Sequence, residues 1–219
     1  MRKINKEMSK KIRVDFFHDV ICGWCYVLSP RLRQLAKEFN LDIHHHAFAL
    51  SASQADMIGN FGSVKQAKQT ILGHWEQCAR ADDEKRINVE GMHKQTFDYP
   101  ISTPGLIACK AAEQQGGASA YWDYFDAVTH AHMSENRNIG DLDILTDIAV
   151  ETGLDKFLFI KDVADPTRLA EIKRDRKLAQ EYDITSTPTL VIHKRWVVSG
   201  ALDIHALRKT LKEIAQILQ

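Results

Sequence analysis

Asp19-Val-Ile-Cys-Gly-Trp-Cys-Tyr26 lies between an alternating apolar run and a helical one. Two cysteines separated by two residues can close a small disulfide ring and open it again with little backbone movement. At a strand-to-helix junction, free backbone N–H groups and the helix dipole favour a thiolate at Cys22. Thiol pKa values in such motifs fall from about 8.5 to about 3.5–7.5. A zinc site would need two more ligands at comparable spacing, and neither Cys78 nor Cys109 has a cysteine two or three places away. An intracellular CxxC beside a βαβ pattern points to thiol–disulfide chemistry.

Working outward, residues 12–17 place Ile12, Val14 and Phe16 on one side and Arg13 and Asp15 on the other, a period-two strand. After the motif, Leu28, Leu32, Leu35, Ala36 and Phe39 form a helix face over residues 25–39, with Pro30 in an early turn. Residues 41–50 read as a second strand with Leu41, Ile43, His45, Ala47 and Ala49 on one face, so the opening is a βαβ unit with parallel pairing. From residue 51 to about 181 the patterning turns helical. Ser63 caps a helix to about Ala81, Pro104-Gly105 opens another that Gly116-Gly117 stops, and a third runs from Ala118 to Met133. A fourth spans Asp141 to Thr152, and Asp165-Pro166 opens a fifth with Leu169, Ile172, Ala179 and Tyr182 on one face. Strands return at 189–193 and 196–199, and Asp203 caps a final amphipathic helix striped by Ile204, Leu207, Leu211, Ile214 and Leu218. The organisation expected is α/β: a split domain, 12–50 plus 183–219, with a helical domain at 51–182 inserted between its halves.

The 219 residues are enough to bury a sizeable core, and 44% hydrophobic with 26% charged residues is ordinary for a globular chain. With 29 basic and 29 acidic residues the formal charge is zero. That balance argues against nucleic acid or an anionic membrane as an electrostatic target. No segment approaches the ~20 apolar residues of a membrane span. The stretch Met1–Lys11 is basic without an apolar region behind it, so the expected address is the cytoplasm. Four cysteines are too few for a disulfide scaffold.

The CxxC after the first strand, the helical insertion and Thr187-Pro188 immediately before a strand resemble the thioredoxin fold in its DsbA-like form. Within that group the chain resembles the FrnE-type predicted dithiol–disulfide isomerases. Further landmarks are Ser102-Thr-Pro104, Tyr121-Trp-Asp-Tyr-Phe125, Asn138-Ile-Gly-Asp141, Gly153-Leu-Asp155 and Ser199-Gly-Ala201. The resemblance covers about residues 12–215. It implies that Cys22 attacks and Cys25 resolves, that Pro188 is cis and faces the cysteines, and that the backbone at Thr187 pairs with extended substrate. Many relatives carry proline where this chain has Gly23, so the redox potential does not carry over. The kappa glutathione transferases and chromene isomerases share the architecture but usually lack the second cysteine, which Cys25 supplies here.

The resulting expectation is a protein disulfide oxidoreductase or isomerase acting on protein or small-thiol substrates. It needs no metal or organic cofactor, glutathione serving at most as cosubstrate. The alternatives are a glutathione-dependent transferase or isomerase of the kappa type and a redox-sensing, client-binding protein. Trp24 is expected to line the substrate surface. His18, four residues before Cys22, would depress the thiol pKa as an imidazolium or accept its proton as a neutral ring. Asp19 would orient the turn or help deprotonate the resolving cysteine. His44, His45 and His46 cannot chelate one metal together, because strand neighbours point to opposite faces; His130 and His132 are weak metal candidates. Cys78 and Cys109 read as core residues, and Tyr121, Trp122, Tyr124 and Phe125 as core of the inserted helices.

Overall fold

The structure, a computed structural model, describes residues 11–218, so the basic residues Met1–Lys10 lie outside the described residues. Its centre is a four-stranded sheet in the order β2-β1-β3-β4, built from β1 (Ile12–His18), β2 (Leu41–Ala47), β3 (Thr189–Ile192) and β4 (Trp196–Ser199). β1 and β2 run parallel, with Val14 opposite Ile43 and Phe16 opposite His45. β3 runs antiparallel to both β1 and β4. β1 is thus an inner strand. Phe16 and Phe17 point to opposite faces and are both fully buried, each contributing about 1.5–3 kcal/mol.

Helix α1 (Gly23–Phe39) crosses between β1 and β2 and continues through Pro30. Proline lacks the N–H that would bond to the carbonyl of Tyr26, four residues back. Arg86 supplies that donor from outside, its Nη2 lying 3.3 Å from the Tyr26 oxygen. The guanidinium is itself held by Asp82 and lies over the Tyr26 ring.

Between β2 and β3 the described chain is helical: α2 (Gln54–Phe61), α3 (Val64–Ala81), α4 (Val89–Lys94), α5 (Ser102–Met133), α6 (Leu142–Glu151), α7 (Lys156–Val163) and α8 (Pro166–Glu181). Ser63 and Asp165 are the N-caps expected of them, and Asp141, where a helix was expected to start, caps α6. The expected break within α5 is present at Gly116-Gly117, where Gly117 takes φ +66°. The final helix, α9 (Ile204–Ile217), is capped by Asp203 and buries Leu207, Leu211 and Ile214.

Three details differ from the sequence reading. β2 ends at Ala47, because Asp175 of α8 accepts the Ala47 N–H (3.0 Å) and the chain then turns toward Leu50. α8, grouped with the insertion on patterning alone, packs on the second face of the sheet. There Ala179 joins Phe17, Phe48, Ile184 and Val191 in a cluster of its own. Leu169, assigned to the buried face of this helix, is 38% exposed. The packed face begins at Ile172, one turn later, and Arg168 rather than Leu169 is buried in the first turn.

A charged relay ties these layers together. His46 lies 2.9 Å from Asp15 on β1 and 2.9 Å from Asp175 on α8, and Lys110 of α5 reaches Asp175 at 3.0 Å. Burial pulls the His46 pKa down, but the two carboxylates outweigh it and the net shift is upward.

Candidate active site

The loop between β1 and α1 puts Cys22 at the N-cap of α1, a place usually filled by a side-chain oxygen. Its Sγ accepts the Cys25 N–H at 3.2 Å and donates to the carbonyl of Thr187 at 3.7 Å. Cys22 therefore stands over the unpaired N–H groups of the first turn and faces the loop before β3. The Thr187-Pro188 peptide in that loop is cis, the geometry the resemblance implies. Both cysteines are free thiols. They differ in environment: Cys22 lines an open cavity, whereas Cys25 is fully buried behind it. Burial, reinforced by the adjacent Cys22, pushes the Cys25 thiol well above its ordinary pKa.

The cavity holds about 320 Å³. Trp24, half-buried, forms part of its wall with Thr187, and α3 supplies Trp75 and Cys78. Cys78, read as a core cysteine, is 2% exposed and lies directly against the motif: a Cβ on Gly23 would come within 2.9 Å of its Sγ. Burial pushes the Cys78 thiol up to about 12. Cys109 is fully buried, away from this cavity's walls.

Asp19 is fully buried, and its carboxylate collects the Leu50 N–H at 2.7 Å, the Ser102 hydroxyl at 2.6 Å and the Ile21 N–H at 3.4 Å. These bonds pin the active-site loop to the chain after β2 and to the start of α5. Burial outweighs them and raises the Asp19 pKa to about 6. His18 is also fully buried, 3.2 Å from His45 and packed on Phe125. Burial pushes both imidazoles well below their ordinary pKa, so His18 is a neutral ring and not the imidazolium form of the sequence reading.

The three neighbouring histidines separate as strand alternation requires: His44 pairs with Asp42, His45 with His18, and His46 with Asp15 and Asp175. His130 bonds the Tyr26 hydroxyl, and His132 is buried between Trp75 and Tyr99, its pKa lowered by burial to about 4. Among the described residues, no cluster of three His, Cys, Asp or Glu side chains is placed to hold a metal ion. Tyr121, Tyr124 and Phe125 are fully buried as expected, while Trp122 is half-buried and donates to the Ser29 hydroxyl.

Sequence reasoning missed Arg31. Its buried guanidinium binds Asp83 through both carboxylate oxygens and donates to the carbonyls of Ala81, Ala201 and Leu202. It thereby fastens α1 to the end of α3 and to the approach to α9. Its only signal is an arginine at a position the helix face buries, next to Leu32.

A family model described as a DSBA-like thioredoxin domain matches residues 13–212. The ClpXP adapter protein SpxH of Bacillus subtilis is 27% identical over 183 residues, covering 83% of this chain and 58% of the relative, so the chain spans little more than half the length of that protein. A putative protein disulfide isomerase from Nitrosomonas europaea superposes with a TM-score of 0.78 at 18% identity, over 94% of this chain and 98% of the other. The cytosolic disulfide reductase DsbM from Pseudomonas aeruginosa gives 0.69 at 21% identity, over 94% and 96%. At these identities the structural likeness is one of fold. Among the described residues no helix is long and apolar enough to cross a membrane.

Proposed function

Because the chain belongs to the DSBA-like thioredoxin family, we propose that it is a thiol–disulfide oxidoreductase in which Cys22 is the attacking and Cys25 the resolving sulfur. The observation that carries this reading is the asymmetry of the pair: Cys22 lines the cavity at the start of α1, and Cys25 is shut behind it. The Cys22 thiolate attacks one sulfur of a substrate disulfide and the other leaves as a thiolate, giving a mixed disulfide. The Cys25 thiol loses its proton to solvent or to the departing thiolate and attacks the Cys22 sulfur. The second substrate thiolate departs and the Cys22–Cys25 disulfide remains. Two electrons pass to the substrate, and the reverse sequence oxidises a dithiol. When Cys22 alone attacks and leaves again, the net result is isomerisation. The Thr187 carbonyl, 3.7 Å from the Cys22 Sγ and next to the cis Pro188, supports an extended polypeptide as the group bound there. No organic or metal cofactor takes part, and the working compartment is the cytoplasm.

The test is equilibration with glutathione buffers across the range of about −320 to −120 mV spanned by cytosolic pools and by strong oxidants of this fold, followed by thiol alkylation and mass measurement. A reversible two-proton mass change confined to Cys22 and Cys25 is expected. Its midpoint assigns direction, low for a reductase and high for an oxidase or isomerase. A stable glutathione adduct on Cys22 with no intramolecular disulfide overturns the reading in favour of a transferase.

The adapter proteins among the relatives favour a second reading, a client-binding protein that needs no turnover. Binding of a partner that survives Cys22→Ser undiminished distinguishes it from exchange chemistry, which that substitution abolishes.

A further inference from the structure

Three of the four cysteines converge on one corner of the molecule. Cys22 and Cys78 line the same cavity, Cys22 from the start of α1 and Cys78 from the last turn of α3, with Cys25 buried behind the first. Gly23 lets them approach. A Cβ built on it would lie 2.9 Å from the Cys78 Sγ and 3.3 Å from the Cys78 Cβ, so the thiol occupies the space a side chain at 23 would fill. Cys22 is the next residue, its α-carbon about 3.8 Å from that of Gly23. Disulfide partners have α-carbons about 4.4–6.8 Å apart and β-carbons about 3.5–4.5 Å apart. Turning the Cys22 side chain from the Thr187 carbonyl toward α3 is the movement that would close this span.

A second observation fixes Cys78 in place. Three residues before it on α3, the Trp75 indole donates to the Tyr99 hydroxyl (3.1 Å), which donates to the carbonyl of Ile21 (3.3 Å), the residue immediately before Cys22. These two hydrogen bonds hold α3 against the motif loop. Cys78 is only 2% exposed, so a disulfide arriving from solvent has little access to it. The sulfur it can meet is one already on the cavity wall, and Cys22 is there. Cys109, fully buried and away from these walls, has no such neighbour.

We infer that Cys78 is a second resolving thiol, which releases Cys22 from a mixed disulfide by closing a Cys22–Cys78 bridge between α1 and α3. This rests on the oxidoreductase reading and adds a residue to it. The Cys78 thiol loses its proton to solvent and its sulfur attacks the Cys22 sulfur. The bond between Cys22 and the substrate sulfur breaks, and the substrate departs as a thiolate. One S–S bond replaces another, so no outside oxidant is consumed. Cys25 competes for the same sulfur from one turn away, its N–H 3.2 Å from the Cys22 Sγ. In the wild-type chain Cys25 therefore closes first, and Cys78 acts when Cys25 is blocked or modified. The bridge would tie together two walls of the cavity.

The experiment uses the reduced full chain carrying Cys25→Ser, which removes the first resolving thiol, with glutathione disulfide as the probe. Cys25→Ser/Cys78→Ala and Cys25→Ser/Cys109→Ala are run beside it. Samples are quenched in acid, alkylated, weighed intact and digested. Cys25→Ser is expected to take up one glutathione on Cys22 and lose it within the seconds-to-hours range of disulfide reshuffling. It should leave a species two protons lighter than the reduced protein, with digestion linking Cys22 to Cys78. Burial holds the Cys78 thiol near 12 and its thiolate is the attacking form, so the loss should quicken about tenfold per pH unit between about pH 7 and 9. With Cys78→Ala added no second thiolate is in reach, and the adduct should persist at least about tenfold longer. Cys109→Ala should change nothing. An adduct in Cys25→Ser as durable as in Cys25→Ser/Cys78→Ala overturns the role of Cys78, while a wild-type chain that closes its own disulfide leaves the oxidoreductase standing. A bridge from Cys22 to Cys109, or between two molecules, overturns it equally. The mapped bridge needs only the single variant, so the test holds even where the alanine variant does not fold. If glutathione disulfide modifies Cys22 in no variant and the wild-type chain forms no disulfide, the exchange mechanism and the inference fall together.

Discussion

At the scale of single residues, Gly23 and Asp19 set conditions that no neighbouring residue type meets. A side chain at 23 would have its Cβ 2.9 Å from the Cys78 Sγ and 3.3 Å from the Cys78 Cβ. Gly23→Ala is therefore expected to destabilise the fold by about 1–3 kcal/mol, the usual cost of overpacking. Combining it with Cys78→Ala should recover part of that loss, and urea titration of the four proteins gives the coupling energy. Additive costs would show that the two positions do not meet. Asp19 titrates near pH 6 in the folded protein against an ordinary value of 3.8. The folded state thus holds this proton more tightly than the unfolded chain, and the associated stability is complete below about pH 4 and lost as pH rises through 6. The difference is about 3 kcal/mol for a group this buried. Asp19→Asn should accordingly lose stability relative to wild type at pH 4 and regain about that amount by pH 7, as read by chemical denaturation at stepped pH.

At the scale of elements, the Arg31 clamp joins α1, α3 and the approach to α9 through five hydrogen bonds. Arg31→Met keeps the stem but strands three carbonyls, and is expected to cost about 3 kcal/mol in thermal or urea unfolding. Arg31→Lys should recover less than half, because a single ammonium cannot reproduce the fork. Loss equal to that of the methionine variant would mean the carbonyls are satisfied without the guanidinium. The clamp also shows what a one-dimensional reading can see. Ser63, Asp141, Asp165 and Asp203 announce their helices because a cap acts on N–H groups two or three residues away. The CxxC and the Thr187-Pro188 pair were legible for the same reason, each being a local chemical pattern. Arg31 binds partners 50 to 171 positions distant, and nothing beside it in the chain encodes them. The short helices α2, α4 and α7 went unread because eight residues or fewer give barely two turns of periodicity. Cys78 looked like any core cysteine until α3 was packed on α1. Leu169 shows the opposite error, an apolar residue in phase with a stripe that begins one turn later.

At the scale of the whole molecule, burial of neutral histidine governs the acid limb of stability. His18, His45 and His132 are fully or almost fully buried with lowered pKa values, that of His132 to about 4. On unfolding each recovers a value near 6.5, so the unfolded chain binds more protons than the native state below that pH. Stability therefore falls as pH drops from about 6.5, each histidine adding a slope of roughly 1.4 kcal/mol per pH unit. Asp19 opposes one of the three between about pH 4 and 6. His46, whose pKa is raised, contributes stability that is present below 6.5 and lost as pH climbs through its folded value. His132→Phe should keep the ring contacts with Trp75 and Tyr99 and flatten the acid limb by one proton between about pH 4 and 6.5. Urea midpoints at stepped pH measure this, and an unchanged slope would show that His132 is protonated in the folded state.

The active site also joins the two ends of the chain, since Cys22 meets its opposing carbonyl at Thr187, 165 residues later. During synthesis at about 5–20 residues per second, roughly 8–33 s separate the emergence of the two. For that interval the ribosome displays a Cys-Gly-Trp-Cys segment with neither β3 beside it nor the Thr187 loop in front. The nascent thiols meet the surrounding redox buffer before the site that governs them exists. Their first oxidation state is consequently set by the compartment, and folding receives it.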